Sequence, residues 1–154
     1  MGTVGFDTTS NYTSGVSLYI DVTTGGASQY ILARLANMLP VKPATAYDFA
    51  VWIENLVADG LTGGSGLTIE IKEYADNIAS SLLQTTAMLT NWNTKQEFGQ
   101  ITDDFTTHAS TNYIDIVFTV NVSTGKVSIS DILIQEQAAE TVTDPGIASF
   151  SQAT

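Results

Sequence analysis

Apolar and polar residues alternate in short runs along this chain, and the clearest alternation follows the turn Val41-Lys42-Pro43-Ala44-Thr45. Beyond it, Tyr47, Phe49, Val51 and Ile53 share one side, while Ala46, Asp48, Ala50, Trp52 and Glu54 share the other. A period of two marks a half-buried strand, so the first set is predicted to face a core and the second to face away. Residues 17–22 repeat the pattern with Leu18, Ile20 and Val22 inward, and residues 67–72 alternate in the same way. Residues 113–122 place Ile114, Ile116, Phe118, Val120 and Val122 on one face. Between these runs lie turn residues. Thr23-Thr24-Gly25-Gly26 leads into the apolar stretch 30–39, Gly63-Gly64-Ser65-Gly66 leads into strand 67–72, and Ser123-Thr124-Gly125-Lys126 predicts a hairpin into strand 127–134. Residues 77–88 leave two readings open: Ile78 and Leu82 have helical spacing, whereas the Ser and Thr content and the following Leu89-Thr90-Asn91-Trp92 favour an extended path. Short alternating runs with scarce helix signals predict an all-β sandwich or barrel.

The last residues change character. From 137 to 154 the chain is small and polar, with Pro145-Gly146 and one aromatic, Phe150, and it reads as an arm outside a domain spanning residues 1–136. The full length of 154 residues suits one domain with a sizeable core. Five basic residues against sixteen acidic ones, a formal net charge of −11, oppose a phosphate backbone or an anionic lipid surface, so no nucleic acid and no membrane is expected as partner. With no cysteine there is no disulfide framework, thiolate nucleophile or thiolate zinc site. The start, Met1-Gly2-Thr3-Val4-Gly5-Phe6-Asp7, lacks the basic and apolar segments of a secretory signal, from which a chain made and kept in a cytoplasm until release is expected.

The order of these strands resembles a known family. Ser17-Leu18-Tyr19-Ile20 comes first, then Val41-Lys42-Pro43 through Tyr47-Asp48-Phe49-Ala50-Val51-Trp52-Ile53 and Leu67-Thr68-Ile69-Glu70-Ile71. Trp92 with Phe98, Tyr113-Ile114-Asp115-Ile116-Val117-Phe118, and Val127-Ser128-Ile129-Ser130-Asp131-Ile132 complete the set. Together they resemble jelly-roll carbohydrate-binding modules attached to xylanases and glucanases, a fold type also found in bacteriophage virion surface proteins. The resemblance implies a β-sandwich of two antiparallel sheets, here followed by an extended C-terminal arm, and it places Trp92 in a structural core slot. Many such modules hold a structural calcium, but part of its usual oxygen set is missing here, where the final strand carries Ser130-Asp131 instead of paired aspartates. No cofactor and no metal site is expected.

A fold does not supply a function, so candidate sites are weighed residue by residue. Sugar binding needs an aromatic face for the apolar side of a pyranose, with amides and carboxylates for its hydroxyls. Trp52, Tyr19, Tyr113, Asp48, Glu70 and Asp115 all fall on faces opposite the buried stripes and could form one groove. The competing reading packs Trp52 and Tyr113 under a loop or against a neighbouring subunit and leaves the carboxylates as solvated surface. Catalysis has less to stand on. His108, the single histidine, lies in the turn Thr106-Thr107-His108-Ala109-Ser110 with no nucleophile-elbow sequence, and the pairs Asp103-Asp104 and Glu70 with Glu73 are the kind of proximity that sixteen acids produce by chance.

The resulting expectation is a non-enzymatic protein of a tailed bacteriophage virion surface, assembled in the host cytoplasm. In this reading it is a capsid decoration or cement protein that bridges the major capsid protein or other virion proteins, with Pro145 and Phe150 marking a partner-contact arm. Closed symmetry favours a homo-oligomer, a trimer first. The alternatives are an extracellular carbohydrate-binding module from a secreted polysaccharide-degrading enzyme, or a tail-fibre or baseplate domain that binds a host glycan.

Overall fold

Ten strands lie within residues 2–7, 17–22 and 29–138, those that a computed structural model of the protein describes. They are β1 (Gly2–Asp7), β2 (Ser17–Val22), β3 (Gln29–Arg34), β4 (Leu39–Pro40) and β5 (Ala46–Asn55), then β6 (Gly66–Tyr74), β7 (Leu82–Trp92), β8 (Gln96–Thr106), β9 (Tyr113–Val122) and β10 (Gly125–Glu136). Two five-stranded antiparallel sheets result: a first in the order β1-β2-β10-β5-β8, and a second in the order β3-β9-β6-β7 with the short β4 also on β9. This is the predicted all-β jelly-roll sandwich. The turn 23–26 and the arm with Pro145 and Phe150 lie outside the described residues.

The core forms where the alternating stripes of the two sheets meet. Phe49, Val51 and Ile53 of β5 are at most 1 % exposed, and Ile114, Ile116, Phe118, Val120 and Val122 of β9 at most 2 %. Ile20 and Val22 of β2, Leu67, Ile69 and Ile71 of β6 and Val127 and Ile129 of β10 complete the cluster. Each such side chain contributes about 1.5–3 kcal/mol by leaving water. Tyr47 stacks on Phe105 with ring centroids 5.6 Å apart and caps one end. Trp92 is half-buried and packs against this cluster from its edge, outside the buried set itself.

The predicted hairpin between residues 113–122 and 127–134 does not form. Both strands exist, but β9 lies in the second sheet and β10 in the first, so residues 123–126, the last two of them already paired with β2, turn a corner between sheets. β9 already has β6 on one edge and β3 with β4 on the other, which leaves no edge for β10. The corner instead bonds to the loop before β6. Thr62 N–H donates to Thr124 O at 2.8 Å, Ser123 N–H to Gly63 O at 2.8 Å, and Lys126 N–H to Asp59 O at 2.9 Å.

Two other segments sharpen the sequence reading. The apolar run 30–39 is split into β3 and β4, both on β9, because the chain between them turns to bind Asp115. Residues 77–88 contain both readings in series, a single 3-10 turn at Ala79–Ser81 and then β7. Ser81 Oγ accepts from Asp76 N–H at 3.0 Å and lies 2.8 Å from both Asp76 O and Ile78 O, one of which takes its single proton, which holds that turn without burying Ile78 or Leu82.

Candidate functional site

Trp52 stands on the outer face of the first sheet, opposite the buried stripe of β5. Register sets its neighbours: Ser130 of β10 on one side and Gln100 of β8 on the other. In the adjoining row, Ser128 lies between Tyr19 of β2 and Glu54 of β5. Ser128 and Ser130 are only 2 % exposed, because the half-buried aromatics of the two rows flank these small residues. On its far side Tyr19 is paired with Gly5, where a Cβ would come within 2.9 Å of the phenol oxygen, so glycine gives the ring room to lie down. The Lys126 ammonium is 5.4 Å from the centre of the Tyr19 ring, a cation–π contact that orients it further.

A bulge re-aims β10 beside Trp52. Pairing with β5 shifts between Ser130 and Leu133, and Asp131 adopts φ 52, a left-handed conformation that costs a non-glycine residue energy. Ser130 Oγ lies 3.1 Å from Asp131 Oδ2, to which it donates. The shift brings Leu133, 47 % exposed, opposite Ala50, which extends an apolar surface from Trp52 along the sheet. Farther along the same face, Asp48 stands opposite Asp104 and accepts from Gln137 Nε2 at 2.7 Å. A depression of about 460 Å³ there is lined by Asp48, Phe49, Ala50, Thr102, Asp103 and Asp104. The face thus combines two aromatic rings and an apolar strip with carboxylates, hydroxyls and amides at its margins.

The six residues predicted for one groove are divided between the two sheets. Tyr19, Asp48 and Trp52 belong to the first, whereas Glu70, Tyr113 and Asp115 belong to β6 and β9 of the second, whose outer face is turned the opposite way. Alternation tells which side of a strand a residue takes, and it is silent on which sheet the strand joins. Asp115 is also committed elsewhere. It is 2 % exposed and accepts from Arg34 Nε at 2.8 Å, Arg34 Nη2 at 2.5 Å and Leu35 N–H at 3.2 Å. The hydrogen bonds and charge of this carboxylate hold the Arg34 guanidinium above its ordinary value. Glu70 lies 3.6 Å from the Lys72 ammonium, and Tyr113 is half-buried opposite Pro40 and Tyr74.

The carboxylate pair Glu70 and Glu73 is likewise separated. Glu70 faces outward, but Glu73 is fully buried, accepting from Gln84 Nε2 at 2.7 Å, His108 N–H at 2.8 Å and Thr111 Oγ1 at 2.8 Å. It ties the 107–111 loop to β6. The His108 ring is exposed, and its Nδ1 accepts from Ser110 N–H at 3.1 Å, a loop contact without a nucleophile. Among the described residues no group of three or more His, Cys, Asp or Glu is placed to hold a metal ion. Ser128, Ser130, Asp131 and Leu133 escaped the sequence reading as site residues. The small serines carry no signal of their own, and Asp131 becomes conspicuous only through its backbone conformation.

No protein-family model matches the sequence, and no curated protein matches it. Solved structures do resemble the fold. The CBM22-1 xylan-binding domain from Paenibacillus barcinonensis is 10 % identical, with a TM-score of 0.58 over 90 % of this chain and 83 % of that one. The CBM22-1 and GH10 modules of a Clostridium thermocellum endo-1,4-beta-D-xylanase, complexed with xylohexaose, are 8 % identical with a TM-score of 0.59. There the likeness covers 89 % of this chain but a quarter (25 %) of the xylanase chain. The enzymatically active domain of tailspike protein 4 from bacteriophage CBA120 is 15 % identical with a TM-score of 0.59, over 88 % of this chain and 18 % of the tailspike chain. At such identities the likeness establishes architecture: in fold, this chain resembles jelly-roll carbohydrate-binding modules.

Proposed function

We propose that this chain is a non-catalytic carbohydrate-binding module whose ligand lies across the outer face of the first sheet, stacked on Trp52 and Tyr19. One observation carries the reading: two aromatic side chains sit in adjoining rows, separated only by the buried serines Ser128 and Ser130. Such a surface gives the apolar faces of successive sugar rings something flat to rest on, while Gln100, Glu54 and Asp48 are placed to bond hydroxyls. The carboxylates Asp48 and Asp104 face each other on an open strand surface, where no wall would shut a reacting sugar off from water. Binding is therefore the activity this face supports, and an extracellular or surface-displayed setting suits it.

This reading replaces capsid cementing as the leading one. The cement expectation leans on the 137–154 arm, most of which lies outside the described residues. A virion setting keeps one point in its favour, the likeness to a bacteriophage tailspike domain, and it favours the tail-fibre form of the idea, in which the same face grips a host glycan.

The test is a titration of the Trp92→Phe variant, in which Trp52 is the only indole, with soluble xylan, β-glucan, galactan and bacterial surface polysaccharide. Saturable change in indole fluorescence with at least one of them is expected, and calorimetric titration of Trp52→Ala with that sugar should show binding about tenfold weaker or more, some 1.4 kcal/mol. Absence of any spectral change across the panel, or unchanged affinity in Trp52→Ala, would overturn the proposal.

A further inference from the structure

We infer that the outer face of the second sheet carries a separate sugar-binding groove, with no aromatic among its described lining side chains, which takes a single sugar unit through its hydroxyls. The inference goes beyond the Trp52 face and does not depend on it. The groove has a volume of about 200 Å³, room for some six waters, which suits one ring better than a chain. Its floor is the directly opposed pair Thr68 and Thr119, and its sides are Glu70, Asn91 and Asn121.

The groove is a product of backbone geometry. Pairing between β6 and β7 slips on both sides of Ile69, and Asn91 takes φ 50, so that β7 bulges and brings Asn91 to the groove rim. Asn91 N–H donates to Thr68 Oγ1 at 3.2 Å, which holds the bulge. At the open end Gly66 has φ 104, and a Cβ there would come within 2.1 Å of Trp92 O, so no larger residue can close the groove at that point. Strained bulges beside a polar depression mark places where a sheet has been shaped for contact.

The lining selects the ligand. Two threonine hydroxyls both donate and accept, two carboxamides do both, and Glu70 accepts, which matches the paired donors and acceptors of vicinal diols. The side chains of Asn91, Asn121 and Thr119 make no hydrogen bond to another described residue. Glu70 sets the groove against anions, and its single carboxylate, shared with Lys72 at 3.6 Å, falls short of the charge a hard cation wants. With no ring to stack on among the described lining residues, binding should be weak, with Kd near or above about 1 mM.

Nuclear magnetic resonance separates this groove from the Trp52 face. In 15N-labelled wild type and Trp52→Ala, xylohexaose, cellohexaose, mannohexaose and β-1,4-galactotriose would be titrated to tens of millimolar, above the expected Kd of about 1 mM. The side-chain amide signals of Asn91 and Asn121 should shift with at least one sugar in both proteins. The double variant Thr119→Val with Asn121→Leu should weaken the shift of the remaining Asn91 amide about tenfold while leaving the Trp52 indole shift in place. Shifts at Trp52 alone would overturn this inference and leave the proposed function standing. Groove shifts that persist in Trp52→Ala without any indole shift in wild type would overturn the proposed function alone. Groove shifts with calcium chloride and with no sugar would mean a cation site and overturn the sugar assignment.

Discussion

Arg34 and Asp115 illustrate how one buried charge organises its neighbourhood. The Asp115 side chain is 3 % exposed and that of Arg34 47 %, so the carboxylate lost its water and the guanidinium largely kept it. The carboxylate therefore needs the arginine more than the reverse. Arg34→Met should destabilise the protein by about 2 kcal/mol, less than the 3–5 kcal/mol of a fully buried pair, because half of this one is wet. Asp115→Asn should cost about 1 kcal/mol, since a neutral amide needs no counter-charge and keeps its oxygen on Arg34, losing only the long bond from Leu35 N–H. Urea unfolding midpoints of the two variants check the order, and a larger loss in Asp115→Asn would refute it. The sequence announced an outward Asp115 on β9, and in parity that is where it lies. What it did not announce is that the outward side is itself covered at this point by residues 34 and 35, which approach from a strand some eighty positions earlier in the chain.

At the scale of elements, the strands were legible and their connections were not. The alternations in β2, β5, β6 and β9 are direct readings of burial, because each apolar side chain responds to the same demand whichever sheet it joins. The corner at residues 123–126 has the composition of a hairpin turn, yet it carries the chain from one sheet to the other. Gly125 shows what the corner requires: φ is 116, and a Cβ would lie 2.1 Å from Gly60 O. Gly125→Ala should therefore cost about 2–3 kcal/mol through strain and displacement of the 59–63 loop. Thermal unfolding would register this as a large fall in Tm, whereas a loss under about 0.5 kcal/mol would mean the corner relaxes freely. The bulges in β7 and β10 belong to the same class of feature. Asn91 and Asp131 are ordinary turn-forming residues in sequence, and only their positive φ reveals that both strands were bent beside a candidate site.

For the molecule as a whole, the two sheets turn their outer faces in opposite directions, so a single domain offers one aromatic surface and one polar groove back to back. The last strand ends at Glu136, and Gln137 is tied to Ala46 O through its N–H at 2.9 Å and to Asp48 through its amide. A chain ending at Ala138 keeps all of these contacts. It is expected to unfold within about 2 °C of the full chain and to bind glycan with unchanged affinity. A loss of glycan binding on this truncation would move the arm from appendage to part of the site, and would revive a role for Pro145 and Phe150 as contact residues.

Sequence by itself determined the all-β class, the inward stripes of the principal strands and the placement of Trp52 on an outer face. Each follows from local period and from the transfer of apolar surface out of water, which acts on every strand alike. Tertiary structure alone decided which strands are neighbours. That choice split six candidate residues between two sheets, buried Glu73 and Asp115, and set Tyr19 beside Trp52 across two small serines. The physical reason is that pairing partners compete for edges and loops across the whole chain, so proximity between strands depends on global topology, whereas burial of an alternating face depends on a few adjacent residues.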